Sequence, residues 1–173
     1  MRLAAQYTNK DNPGVVIQVF ESGGDLEVVE VGRVKRGCSG KLTSKINDGH
    51  GSSEFIALGA LVIDTMFANP KGSGIGAILV YEFALHASRI GTHFVGINLV
   101  AGSDGGERSP RPFYYKMGFW DTLDTAQMKM DAVFQSMPDE QQLKVLTSLP
   151  MCSATLNVAN AAQQSWTKQW ERR

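Results

Sequence analysis

The sequence is poor in cysteine: Cys38 and Cys152 are the only two in 173 residues. Two thiols do not make a disulfide framework, and no Cys/His spacing suits zinc. We therefore expect a reducing, cytoplasmic setting and no metal. Net charge is also missing, since 17 Lys and Arg balance 17 Asp and Glu. Such a chain does not coat nucleic acid or anionic membrane by charge alone. Long apolar runs are absent too. The longest, 55–62 and 74–80, fall far short of the ~20 residues of a membrane span, and residues 1–7 hold no signal-peptide core. Histidine is scarce: His50, His86 and His93 are scattered, and no Ser/His/Asp or Cys/His constellation is legible. Internal repeats and low-complexity tracts are lacking as well.

What is present suits one domain with a sizeable core: 43% of the residues are hydrophobic and 20% charged. Residues 1–14 read as a loose polar start that ends at Asn12-Pro13-Gly14. The β-branched runs 15–20 and 26–34, split by Gly23-Gly24, predict a β-hairpin. Gly, Ser, Asn and Lys dominate 35–53, which reads as a loop. Residues 55–67 should hold one or two strands, with Gly59 as a break. A Gly-rich turn follows at 69–76. Ile75, Leu79, Phe83, Ala87 and Ile90 then recur at helical spacing, and Gly91 suits the end of that helix. A strand is expected at 94–100 and a polar loop at 102–108. Ser109-Pro110 opens a short helix that stops at Gly118, and 119–123 reads as a strand. The tail, from 124 on, reads as helical, with Pro138 opening one helix, Pro150 ending it and Ser153 capping the last. Leu156, Ala159, Gln163, Trp166 and Trp170 fall near one stripe of that last helix.

A strand leading through glycines into a helix is an anion site in the making. Glycines let the backbone approach a ligand, and the free N–H groups of a helix start favour phosphate. Lys does not follow Gly76, so this is no P-loop, and glycines at 72, 74 and 76 do not match GxGxxG. On the loop alone, a plain turn without ligand is equally open.

The loop has a companion, however. Lys71-x-x-Gly74-x-Gly76 resembles the R/Q-x-x-G-x-G/A motif of the GNAT superfamily, the GCN5-related N-acyltransferases. Downstream, Phe113-Tyr114-Tyr115-Lys116-Met117-Gly118-Phe119 resembles that family's second signature, with a helix, a strand and a loop between the two. The resemblance covers about residues 55–123. It implies an α/β fold with a mixed, curved sheet flanked by helices. We expect residues 1–125 to form an acyl-CoA-binding core and 126–173 a helical C-terminal extension on the same domain. The sequence departs from the family pattern at Lys71 itself, at Glu107 and Pro110, where Asn and Ala are common, and in showing no pair of long helices between its first strands.

The resemblance further implies acetyl-CoA, or another acyl-CoA, as co-substrate and direct transfer of the acetyl group to an amine. Lys71, Gly72, Ser73, Gly74, Ile75 and Gly76 would cradle its pyrophosphate. Met66 and Phe67, just before the loop, would offer a backbone N–H to the thioester carbonyl, and Lys116 joins the cofactor set. Tyr114 aligns with the family tyrosine that protonates the leaving thiolate. A phenol of pKa near ~10 is a reasonable donor to an alkylthiolate. Asp64 is the candidate general base, ahead of Glu54.

Other features leave alternatives open. Arg33, Lys35, Arg36, Lys41 and Lys45 place five cations and no acid between 33 and 47. This basic loop, 33–45, is either a solvated surface or a contact for nucleic acid. Cys38 within it has the setting of a lowered pKa. Trp166 and Trp170 read as packing between tail and body, or as a homodimer contact. The acceptor is a small-molecule or a macromolecular amine. The competing reading is a non-catalytic GNAT-fold module that binds acyl-CoA or a partner, or a relative that modifies nucleic acid.

Overall fold

The computed structural model describes residues 1–32, 37–50, 56–98, 109–147 and 149–173. Nine strands form a single open sheet. In chain order they are β1 (Arg2–Asn9), β2 (Val16–Ser22), β3 (Asp25–Glu30), β4 (Ser39–Ile46), β5 (Leu61–Asn69), β6 (Phe94–Ile97), β7 (Trp120–Asp121), β8 (Met151–Ala154) and β9 (Trp170–Arg172). The helices are α1 (Ile75–Arg89), α2 (Arg111–Lys116), α3 (Leu123–Lys129), α4 (Ala132–Ser136), α5 (Asp139–Thr147) and α6 (Thr155–Trp166). Across the sheet the order is β7-β8-β6-β5-β4-β3-β2-β1-β9. Every neighbouring pair is antiparallel except β5 and β6, which run parallel through the α1 crossover.

The mixed α/β class matches the expectation, and so do the β2–β3 hairpin, α1 and the short α2. Three expectations need correction. The loose start is a strand: Ala5 and Tyr7 of β1 are buried, and β1 is held by β2 on one side and β9 on the other. Part of the expected loop 35–53 is β4. Its Leu42 faces the core while Lys41 and Lys45 face out, so a half-buried strand was hidden under a polar composition. The tail is not helical throughout. Met151–Ala154 pairs with β6, and Trp170–Arg172 pairs with β1. Ala154 rather than Ser153 precedes α6, and Ser153 instead accepts a bond from the Asn157 amide.

Gly40 shows why β4 carries glycine. A Cβ there would sit 2.9 Å from Ile75 Cγ2 and from Leu79 Cδ1, and 3.0 Å from the Phe67 carbonyl. The missing side chain lets α1 settle onto the middle of the sheet. α1 is almost wholly covered, with Ile75, Ile78, Leu79, Val80 and Phe83 in the core. α6 lies alongside it and adds Val158, Ala162 and Trp166.

Two buried carboxylates enter this layer with partners. Glu82, within α1, accepts from Tyr7 Oη at 2.5 Å and from Arg172 Nε at 2.8 Å. Burial and the Glu82 charge push the Tyr7 phenol above its ordinary value. The bond to Glu82 likewise raises the Arg172 guanidinium. Glu21 meets His86 Nδ1 at 2.7 Å, Arg89 at 2.5 Å and Arg2 at 3.3 Å. Burial alone would push the Glu21 carboxyl up, but the His86 bond and the charges of Arg89, His86 and Arg2 outweigh it and hold it low.

Candidate functional site

β5 changes character at its middle. Leu61, Val62 and Ile63 are buried and lie between β4 and β6, pairing with Val95, Gly96 and Ile97. Beyond Ile63, β5 keeps β4 as its partner but has no strand on the other edge among the described residues. The register with β4 slips between Ser44↔Ile63 and Thr43↔Thr65, which leaves Asp64 as the extra residue of a bulge.

The bulge decides where the backbone donors point. In a pleated strand, residues whose side chains share a face aim their peptide groups at the same edge. Ile63 faces α1, and its carbonyl accepts from the Asn98 N–H at 3.2 Å, on the β6 side. After the bulge, Met66 and Ala68 take the α1-facing positions. Their peptide groups therefore aim at the open edge. Phe67 aims the other way, since its carbonyl lies against Gly40 of β4. Phe67 and Thr65 present their side chains to solvent on the opposite face.

The glycine-rich loop continues from this edge. Ser73 closes a turn onto Pro70, with its N–H at 3.3 Å and its Oγ at 2.6 Å from the Pro70 carbonyl. Gly74 ends the loop in the left-handed region at φ 82°, a conformation that costs glycine little. The first helical bond is from Ile78 N–H to the Gly74 carbonyl at 3.0 Å. The N–H groups of Ile75, Gly76 and Ala77 thus have no intrahelical acceptor. Lys71 is exposed beside them. α2 docks on this turn: a Cβ on Gly76 would meet the Phe113 ring at 3.1 Å.

Tyr114, next to Phe113, is only 5% exposed and packs edge-on against Phe113 and Phe119. Burial raises its phenol above the ordinary value, so the group is neutral at physiological pH. No hydrogen bond holds its hydroxyl among the described residues, and it is not one of the fully enclosed polar atoms left unpaired. Tyr115 points elsewhere. It donates to Asp121, which also takes Arg111 at 2.5 Å and the Lys129 ammonium. Burial would raise the Asp121 carboxyl, but these bonds bring it below its usual range. Arg111 further donates to the Leu146 and Leu149 carbonyls at 2.5 and 3.0 Å. α2 is thereby anchored between β7, α3 and the end of α5.

The structure thus brings Met66, Lys71, Gly72, Ser73, Gly74, Ile75 and Gly76 along one edge, with α2 docked on Gly76, whereas the expected Phe67 N–H is turned to β4 and is not part of it. Asp64 stands at the first position past the last β5–β6 pair. It is exposed and pairs with Lys45 at 2.9 Å. Lys116 is exposed in the last turn of α2. Glu54, Glu107 and three members of the basic loop, Arg33, Lys35 and Arg36, lie outside the described residues. The other two, Lys41 and Lys45, are strand residues. Cys38 is corrected as well: burial and Glu30, which accepts from the Cys38 N–H at 2.7 Å, push its thiol up rather than down.

Sequence reasoning missed the C-terminal contribution. Trp170 is on β9, not on the stripe of α6, and its indole Nε1 donates to the Ser73 carbonyl at 2.7 Å. Trp166 is also buried and stands edge-on to Tyr7 and Tyr81. Both rings pack within the chain. A groove of about 340 Å³, lined in part by Tyr81, Trp166, Trp170 and Arg172, runs beside α6 and includes none of the expected site residues. Among the described residues, no group of His, Cys, Asp and Glu is arranged to hold a metal, and no helix is long and apolar enough to cross a membrane. No protein-family model matches the chain, and no curated protein is similar to it.

Proposed function

We propose that the chain is an N-acyltransferase that moves an acetyl group from acetyl-CoA to an amine by direct transfer. The observation that carries this reading is the bulge of β5 at Asp64. It aims the Met66 peptide into an edge that leads straight to the uncapped start of α1. The resemblance of both motifs to GNAT sequences agrees with it. The absence of helices between β2 and β3, which join through Gly23-Gly24, departs from the common GNAT plan.

Acetyl-CoA, when bound, supplies an activated acyl group. The chain's own residues do the rest. The N–H groups of Gly74, Ile75 and Gly76 and the Lys71 ammonium hold the diphosphate. The Met66 N–H polarises the reacting carbonyl. Asp64, at the bulge, takes the proton the amine loses. Tyr114, kept protonated by burial, gives a proton to the departing sulfur. The two free thiols, Cys38 and Cys152, fit a cytoplasmic location.

Calorimetry with acetyl-CoA tests the reading, with NADH and ATP as controls. Micromolar binding is expected. Lys71→Glu should weaken it roughly tenfold, since one charge-assisted contact is lost and repulsion is added. A bulky residue at Gly74 is unsuitable, because it would collide with Trp170 and strain the fold. Tyr114→Phe should keep binding and lower turnover about 100-fold. Failure to bind acetyl-CoA or free CoA would sink the proposal. Binding without turnover in the unaltered protein, across an amine panel, would favour the non-catalytic module.

A further inference from the structure

We propose that Trp170 is a positioning residue for the acyl-donor loop: its indole N–H holds the Ser73 carbonyl and so aims the Gly74 N–H at the donor's diphosphate. The inference rests on the functional reading above and adds to it a residue far outside the two motifs.

The argument starts from the peptide between Ser73 and Gly74. That peptide is trans, as the only cis bond among the described residues is Asn69-Pro70. In a trans peptide the carbonyl and the following N–H point in opposite directions. Trp170 Nε1 takes the Ser73 carbonyl at 2.7 Å, so the Gly74 N–H must point away from Trp170. Without that hold the peptide is free to turn over. Gly72 and Gly74 both have positive φ, 80° and 82°, and glycine crosses between such conformations at little cost. A turned peptide would face an anion with an oxygen lone pair in place of a proton.

The clamp itself is rigid. Trp170 is 1% exposed and is paired with Asn9 of β1 in the sheet. Its ring lies 3.2 Å from where a Gly74 Cβ would be, which leaves room for glycine alone. The neighbouring Gln169 amide approaches the Gly72 carbonyl at 3.5 Å. The Gly72 and Ser73 carbonyls are therefore both turned to the C-terminal segment.

The test compares two probes on the full chain and on Trp170→Phe, which keeps an aromatic ring and removes the donor. Acetyl-CoA carries the diphosphate and S-acetylpantetheine does not. Trp170→Phe should bind acetyl-CoA about tenfold more weakly, the effect of one hydrogen bond to a charged group. Its binding of S-acetylpantetheine, followed by NMR line broadening, should be unchanged. A merely structural role would weaken both together, and that result overturns the proposal. Equal acetyl-CoA binding by both proteins also overturns it while leaving the acyltransferase reading intact. No acetyl-CoA binding by the unaltered chain removes both. A second measurement needs no variant. Titrating the unaltered protein with inorganic pyrophosphate should shift the Gly74 amide resonance, and a stationary Gly74 amide would refute the assignment.

Discussion

The layer beneath α1 and α6 pairs its buried carboxylates, although Thr8 Oγ1 and Trp166 Nε1 stay unpaired there, whereas the edge of β5 leaves backbone donors unmet among the described residues. In the layer, every carboxylate that enters the core brings its partners: Glu82 has Tyr7 and Arg172, and Glu21 has His86, Arg89 and Arg2. At the edge, the Met66 peptide of β5, the first N–H groups of α1 and the Tyr114 hydroxyl of α2 stand without partners among the described residues. A buried polar group left unmatched costs free energy, so a fold keeps such groups where something else is to meet them. The paired region is there for stability, and the unpaired region is where chemistry is to be sought.

Substitutions can break this contrast. The largest stability effect belongs to Glu82→Ala, which leaves the buried Tyr7 hydroxyl without its acceptor and the partly exposed Arg172 without its carboxylate. A loss of about 3 kcal/mol is expected, read from urea unfolding, and a loss under ~1 kcal/mol would contradict the pairing argument. Proline at two adjacent positions of β5 sharpens it next. Phe67→Pro removes a donor directed at β4 and should cost about 2 kcal/mol of stability. Met66→Pro removes a donor at the free edge, costs less stability, and should cut turnover by about 100-fold. Equal destabilisation by the two would mean that the edge has been assigned wrongly.

Acid sensitivity separates the regions a third way. The folded Glu21 carboxyl lies below its unfolded value, so its contribution is present above about pH 4.3 and is lost as the pH falls through the folded value. Glu21→Gln should therefore be less stable at pH 7 and lose less on going to pH 3. Parallel stability curves for the two proteins would refute this. The smallest stability change is expected at Asp64→Asn. That pair with Lys45 is exposed, and such pairs contribute about 0–1 kcal/mol. Turnover should nonetheless fall about 100-fold, as for loss of a general base.

How much of this was legible in the sequence follows from how local each signal is. The β2–β3 hairpin declares itself through Gly23-Gly24 between two β-branched runs, and α1 through its spacing and Gly91. The strand β1 does not, because Arg2–Asn9 is half polar with no β-branched run and becomes a strand by pairing with β2 and β9 on either side. The strand β4 was masked by Ser, Lys and Gly, although its Gly40 is what admits α1. At the site, the loop and Tyr114 could be found from motif spacing. Asp64 could be placed on its strand, but its bulge is a matter of register with β4. Trp170 carried no signal, since nothing local says that a tryptophan near the C-terminus will touch a loop almost a hundred residues earlier.

The pairing of β9 with β1 has a kinetic side. Tyr7, Thr8 and Asn9 meet Arg172, Glu171 and Trp170, so one margin of the sheet joins the first and last strands of the fold. Contacts this remote in sequence carry a large loop-closure entropy and form late in folding. During synthesis β1 waits with one side bare until residues 170–172 have been made. The Glu82 carboxylate waits for Arg172, and the glycine loop for its tryptophan. A nascent chain that stalled before Trp170 would hold both motifs and most of the core, yet have an unfinished margin open to pairing with other chains.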